Sequence, residues 1–334
     1  MQEDYMELKR RVRAAGLLDR QPRYYGFMIA LNFTLLATAF AIFAVFRSPW
    51  IQALNALFLG FVLAQGGFLF HDAGHRQISR RRSVSAFFGI IFGNLFAGVS
   101  YAWWVRKHDM HHANPNHHDL DPDIDIPVIA FSAEQAQQKR GFARLIASYQ
   151  AWLFFPLLFF VTPGQHLASA RFLRSEQPRY RWAEITALCL HPIIYFGLPL
   201  YFLGLWPALL VIVLSRAFGG FYLAIVFAPN HKGMLIIEEE MELDYVRSQV
   251  LTARNVRAHP ITDFWYGGLN YQIEHHLFPS LPRNKMREVQ AVVQAFCHER
   301  GISYYETSML TSYKEILEHL HRTSAPLRAQ PAGH

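Results

Sequence analysis

Cysteine is nearly absent. Two occur in 334 residues, Cys189 inside an apolar run and Cys297 in a late helical stretch, which excludes a disulfide framework, a thiolate zinc site and an iron–sulfur cluster. Any metal must therefore be held by other ligands. No GxGxxG stretch and no HPGG haem motif is present, so the sequence offers neither a dinucleotide fingerprint nor a haem of its own. The opening MQEDYMELKRRVRAAG lacks the short apolar core and small-residue cleavage site of a secretory leader, and its charge pattern predicts a cytoplasmic amphipathic helix. No recognisable RNA- or DNA-binding motif accompanies the formal charge of +7. The arginines sit beside apolar runs, as at Arg76, Arg80, Arg81 and Arg82, so nucleic acid binding is not expected. Tandem repeats and low-complexity segments are also missing.

What is abundant is apolar and aromatic. Hydrophobic residues make up 52% of the chain, with 28 Phe, 15 Tyr and 7 Trp, and they gather in runs near the length of a bilayer crossing, with charges between them. Crossings are predicted at 25–46 and 51–70, a pair joined by four residues, and at 183–205 and 207–227, joined near Gly204 and Trp206. Two further stretches, 84–104 and 148–161, are interrupted by glycines or by Pro156. If either crossed alone, histidine clusters on its two sides would face opposite compartments, so both are placed at the interface or re-entrant. With four crossings, the two hairpin turns hold a single arginine. Arg10, Arg11, Arg76, Arg82, Arg106, Lys107, Arg171, Arg174, Arg179 and Arg254 fall on the other side, which should be cytoplasmic. The expectation is one all-α membrane domain over 1–322, four transmembrane helices in two hairpins under a cytoplasmic helical cap, with a disordered tail over 323–334.

Of the 17 histidines, seven form three spaced clusters. HDAGH places His71 and His75 four residues apart; HDMHH places His108, His111 and His112 at i, i+3 and i+4; QIEHH repeats that spacing with Gln272, His275 and His276. Each spacing puts its rings on one helix face. A single such histidine is more often an ordinary surface residue, but three clusters beside a membrane would add only desolvation cost without a function. Seven imidazoles exceed the three protein ligands of a typical catalytic zinc, so two metals are the natural reading. Imidazole suits zinc, copper, iron and nickel alike, so the ligand type does not choose among them.

HDAGH, WWVRKHDMHHANPN with DPDI, and GLNYQIEHHLFPSLPR together resemble the three histidine boxes of membrane fatty acid desaturases, over nearly the whole chain from the first hairpin to about Met286. The glutamine heading the third box resembles the branch with front-end acyl-lipid and bacterial acyl desaturases, and departs from the all-histidine box of animal stearoyl desaturases. The resemblance implies a mushroom-like helical domain whose cap holds two iron ions, O2 as co-substrate and an external electron donor. It also implies an eighth ligand, His231 of APNHKG. Gln272 stands where related enzymes place a ligand histidine, and as a weaker amide donor it would bind directly, through water or not at all. Asp72, Asp109 and Glu274 lie inside the boxes and could accept the second ring N–H of ligand histidines.

Several neighbours are set aside. Pro115 breaks the helix that would align His117 and His118 with His108, His111 and His112, and His166, His191, His259 and His298 stand singly. The alternating Asp119, Asp121, Asp123 and Asp125 lack the Gly and Glu of an EF-hand loop and are assigned to a structural loop. The acidic run 238–244 is a solvated face, or a docking site for a basic redox partner.

Removing hydrogen from an unactivated methylene is beyond any side-chain acid or base, so a metal-bound oxidant made from O2 is needed. The expected activity is introduction of a cis double bond into a fatty acyl lipid, acyl-CoA or carrier-bound acyl chain. Electrons would come from a separate ferredoxin or a flavin/iron–sulfur reductase, and the enzyme would sit in a bacterial inner membrane with its active site on the cytoplasmic side. Hydroxylation of an alkyl, sterol-like or carotenoid substrate is the alternative within the same chemistry. A metal transporter would instead place its ligands near the bilayer midplane, whereas here they follow the crossings.

Overall fold

A computed structural model describes residues 2–329 of the chain. The helices run in the order α1 (Gln2–Ala14), α2 (Pro22–Val45), α3 (Pro49–Gly74), α4 (Arg82–Gly89), α5 (Tyr101–Ala113), α6 (Ala133–Gln138), α7 (Gly141–Ser148), α8 (Gln150–Leu158) and α9 (Val161–Ser175). They continue with α10 (Arg181–Pro192), α11 (Leu198–Leu203), α12 (Leu205–His231), α13 (Tyr245–Leu251), α14 (Pro260–Trp265), α15 (Gln272–Leu277), α16 (Met286–Glu299), α17 (Met309–Thr323) and α18 (Ala325–Ala329). π-Helical segments Ile90–Ala97 and Ile193–Gly197 follow α4 and α10. Strands β1 (Asn255–Val256) and β2 (Glu306–Thr307) pair in parallel.

Four helical stretches of 24, 26, 23 and 27 residues are long and apolar enough to cross a bilayer: α2, α3, the run Arg181–Leu203 and α12. At 1.5 Å rise per residue each exceeds a hydrocarbon core of about 30 Å. Proline at the first helical turn starts α2 and α3, and Gly204, at φ +74°, separates the last two. The two ambiguous apolar stretches are broken. The segment Arg82–Ala97 turns by 105° into α5, and α8 and α9 likewise bend at a break.

The chain divides into two compact units that alternate along the sequence, where the sequence reading treats 1–322 as one domain. Unit 1 comprises 1–18, 107–157 and 226–334; unit 2 comprises 19–106 and 158–225. In unit 2, Tyr25, Phe43, Leu59, Phe92, Phe96 and Tyr195 belong to one buried cluster. Amide nitrogens of polar side chains inside it donate to backbone carbonyls: Asn32 Nδ2 to Val62 O at 3.0 Å, Asn55 Nδ2 to Ala39 O at 3.0 Å, and Gln52 Nε2 to Phe46 O at 2.8 Å. Gly60 allows close backbone approach, because a Cβ there would lie 2.7 Å from Ser215 O. The bend after the first π-helix is held at Gly98, φ +76°, with His191 Nδ1 on Leu95 O and His166 Nε2 on Ala97 O, both at 2.8 Å. These two histidines cap otherwise orphaned carbonyls.

In unit 1, Leu8 and Val12 of α1 share a buried cluster with Val250, Ile273, Val293 and Phe296. Ion pairs from Glu7 to Arg11 and from Asp4 to Arg247 and Arg300 accompany that packing. Residues 323–329, assigned from sequence to a disordered tail, instead end α17 and form α18. Leu327 is buried there with Ala130, Ala136 and Ala147, an apolar anchor that a composition-based reading overlooks. Residues 330–334, the rest of that expected tail, lie outside the described residues.

Candidate metal centre

Helix α5 begins with a buried carboxylate at its N-terminus. Glu184 Oε2 accepts from Ser100 Oγ at 2.6 Å and from Ala102 N at 3.3 Å, and Ser100 Oγ accepts from Trp103 N at 3.2 Å, an arrangement favoured by the helix dipole. Two to three turns later the helix presents His108, His111 and His112. It stops at Ala113, before Pro115, and the chain turns at Asn116, φ +52°. That turn is pinned: Asn116 N donates to Asp121 Oδ2 at 2.7 Å, and its side-chain amide to His231 O at 3.0 Å and Leu235 O at 3.1 Å.

Six imidazoles meet in unit 1. His231 is the last residue of α12, and α15 supplies His275 and His276 from a helix whose six residues are all buried. His231 Nε2 lies 2.9 Å from His276 Nε2, His112 Nε2 lies 3.1 Å from both His108 Nε2 and His275 Nε2, and the rings of His111 and His231 meet edge-on at 4.7 Å. His111, His231 and His276, all buried, each offer a ring nitrogen within 4.8 Å of the others. Nitrogens sharing one ion at about 2.0–2.1 Å stand roughly 3–4 Å apart, so this donor set fits a metal with small side-chain adjustment.

The opposite ring nitrogens of these three are each engaged. His111 Nδ1 sits 3.0 Å from both Asp121 carboxylate oxygens, His231 Nδ1 2.9 Å from Thr252 O, and His276 Nδ1 2.8 Å from Gln249 Oε1. Such bonds fix the tautomer that leaves Nε2 as the electron-pair donor. Burial pushes the Asp121 carboxyl up, but the bond and charge of His111 outweigh it and hold the group below the usual carboxylate range. Gln249 also ties two boxes together, donating from Nε2 to His112 O at 3.1 Å. Gln272 is buried, with its Nε2 2.9 Å from His231 Nε2 and its Oε1 accepting from Asn230 Nδ2 at 2.9 Å; the amide orientation follows from that network.

In unit 2, His71 and His75 end α3 with ring centroids 4.7 Å apart, and the Trp104 indole stands edge-on to both. A Cβ on Gly74 would come within 2.4 Å of the Trp104 ring, which explains the glycine of HDAGH.

The acids inside the boxes divide. Asp72 Oδ1 lies 3.5 Å from His71 Nδ1. Asp109 is on the exposed side of α5. Glu274 differs from the expectation: its carboxylate accepts from Asn255 Nδ2 at 2.6 Å and from Tyr304 OH at 2.9 Å, not from an imidazole. It faces away from His275 and His276 across a one-turn helix, and burial pushes its carboxyl up to about 7 against the pull of those two bonds. Asn255 Oδ1 in turn accepts from Ile273 N at 2.9 Å, tying α15 to β1. The ring-orienting acid that the sequence reading missed is Asp121. Its signal was the DPDI stretch ten residues after His111, read as loop closure only. His117 pairs through backbone with Ile237, and His118 Nδ1 bonds Asp119 at 3.0 Å.

A family model described as fatty acid desaturase matches residues 48–308. The acyl-lipid (9-3)-desaturase of Physcomitrium patens is 29% identical over 340 residues, covering 99% of this chain but only 64% of its own length. The Delta(8)-fatty-acid desaturase of Euglena gracilis is 30% identical over 343 residues, covering 99% of this chain and 81% of the relative. The Delta(6)-fatty-acid desaturase fat-3 of Caenorhabditis elegans is 29% identical over 350 residues, with 99% and 77% covered.

Proposed function

This chain belongs to the fatty acid desaturase family, and from that premise we propose that it is a membrane oxidoreductase that introduces a cis double bond into a fatty acyl chain with O2. Two iron ions are assigned to His71, His75, His108, His111, His112, His231, His275 and His276, with Gln272 binding weakly, through water or not at all. When bound, the irons activate O2 so that two hydrogens leave adjacent methylenes and, with two external electrons and two protons, O2 ends as two waters.

The protein's own part is orientation and exclusion. Asp121, the Thr252 carbonyl and Gln249 hold His111, His231 and His276 in one tautomer, and Asn255 with Glu274 and Tyr304 fixes the helix carrying His275 and His276. Burial of the rings keeps bulk water from the donor atoms. The convergence of the three tied-back rings is the observation that carries the proposal. The similarity to desaturases of Physcomitrium patens, Euglena gracilis and Caenorhabditis elegans favours desaturation over hydroxylation.

The wider reading places the spans as two hairpins, the broken segments at the interface, and the histidines under a cap on the cytoplasmic side of a bacterial inner membrane. The acyl chain arrives on a lipid, CoA or carrier protein, and a ferredoxin or flavin/iron–sulfur reductase supplies electrons. The test is gas chromatography of fatty acid methyl esters from cells expressing the chain with a redox partner, double bonds being located by derivatisation, against His111→Ala. A new unsaturated species absent from the control is expected. An unchanged profile from well-expressed, iron-loaded protein overturns desaturation and turns attention to hydroxylated products.

A further inference from the structure

Unit 2 contains thirteen arginines, no lysine and four acids, Asp19, Asp72, Glu176 and Glu184. Between Arg20 and His108 the only acid is Asp72, which is buried. Six of the arginines converge where α2 starts and α3 ends: Arg20, Arg23, Arg76, Arg80, Arg81 and Arg82. All but Arg20 are exposed. They adjoin in space as well as in sequence, because Tyr25 OH donates to Gln77 Oε1 at 2.7 Å and Arg20 Nη1 donates to Arg76 O. Burial, and after it the charge of Arg80, push the Arg20 guanidinium down.

The loop is fixed rather than loose. Arg76 N bonds Ala73 O at 3.1 Å and Gln77 N bonds Asp72 O at 2.9 Å, the paired bonds of a Schellman helix end. The left-handed position of that motif favours glycine, and here Arg76 occupies it at φ +57°. A strained backbone carrying a long cation outward signals work for that side chain. Ser79 closes the next turn, accepting at Oγ from Arg81 N at 3.2 Å and at its carbonyl from Ser85 Oγ at 2.9 Å.

We infer that this arginine cluster is a binding site for the phosphate group of an anionic bilayer phospholipid. The cations lie within eight residues of the ends of two apolar spans, near the depth of lipid headgroups. Guanidinium forks suit phosphate oxygens bidentately, which lysines do not. An acidic protein would meet the same charge, but residues this close to the span ends favour a lipid.

The full chain, delipidated in neutral detergent, would be titrated with dioleoylphosphatidylglycerol and, separately, with dioleoylphosphatidylcholine, bound lipid being counted by native mass spectrometry. Binding of the anionic lipid should weaken roughly 100-fold in Arg80→Gln/Arg81→Gln/Arg82→Gln, three cations near a membrane surface each contributing about fivefold. The matched triple Arg171→Gln/Arg174→Gln/Arg179→Gln removes the same charge elsewhere and should retain most binding. Equal loss in both triples overturns a local site in favour of diffuse charge. Equal affinity for the two lipids, or displacement by millimolar inorganic phosphate, overturns headgroup recognition. Unchanged lipid binding in the first triple, with turnover lost only when an acidic ferredoxin is the donor, assigns the cluster to that protein instead.

Discussion

The two units differ in how many of their buried polar side chains depend on one another, although unit 2 also holds pairs such as Tyr25 with Gln77 and Ser100 with Glu184. Unit 2 buries Asn32, Gln52 and Asn55, whose amide nitrogens donate to backbone carbonyls, and His191, whose Nδ1 meets Leu95 O, so each of these side chains serves a local helix contact. Unit 1 buries side chains that bond one another: His111 with Asp121, His276 with Gln249, Gln272 with Asn230, Glu274 with Asn255 and Tyr304. Their charges contrast too. Unit 2 carries a formal +9, thirteen arginines against four acids, while unit 1, with nineteen basic residues and twenty-one acids, carries −2. The lesson is that a buried amide meeting one carbonyl joins two helices, whereas rings tied back on their far nitrogens, as His111, His231 and His276 are, have their geometry held.

That contrast can be broken or sharpened. The largest effect is expected from His111→Ala, which should lower double-bond formation more than about 100-fold and reduce bound metal, with little change in thermal unfolding; unaltered metal content would move the centre away from this ring. Asp121→Asn should follow. It keeps the shape but removes the charge facing His111 Nδ1, and metal affinity measured by competition with a chelator should fall about 10- to 100-fold. Gly60→Ala acts only on scaffold: its methyl would press on Ser215 O, lowering stability by about 1–2 kcal/mol while the metal-to-protein ratio stays constant. The smallest change is Asp244→Ala. Asp244 caps α13, with its carboxylate accepting from Arg247 N at 3.0 Å, and its loss should cost about 0.5–1 kcal/mol near neutral pH. Burial raises the Asp244 carboxyl, but the bonds and charge of Arg247 prevail and lower it. The cap therefore contributes above the unfolded value near 4 and fades as pH falls through the folded one, so melts of variant and parent should converge in acid.

Much of this was legible in the residues. The four long helices end within four residues of the predicted apolar runs, because Pro22, Arg47, Pro49 and Gly204 punctuate the sequence where the helices stop and start. The spacing of His108, His111 and His112 reads directly as one helix face. What spacing could not convey is what faces the other side of each ring. Asp121 reaches His111 only because Asn116 reverses the chain, and Thr252 contributes a carbonyl, which every residue has. Glu274 misled because a carboxylate between a glutamine and two histidines looks like their partner, yet a one-turn helix turns it toward Asn255. Leu327 alone, in a polar stretch, gave too little periodicity to announce α18.

His111, His231 and His276 lie 120 and 45 residues apart in the chain. At a synthesis rate of about 5–20 residues per second, the first ring waits roughly 10–30 s for the last to leave the ribosome. No nascent fragment ending before His276 contains the set, so a site that needs all three rings has to wait until the third box has been made.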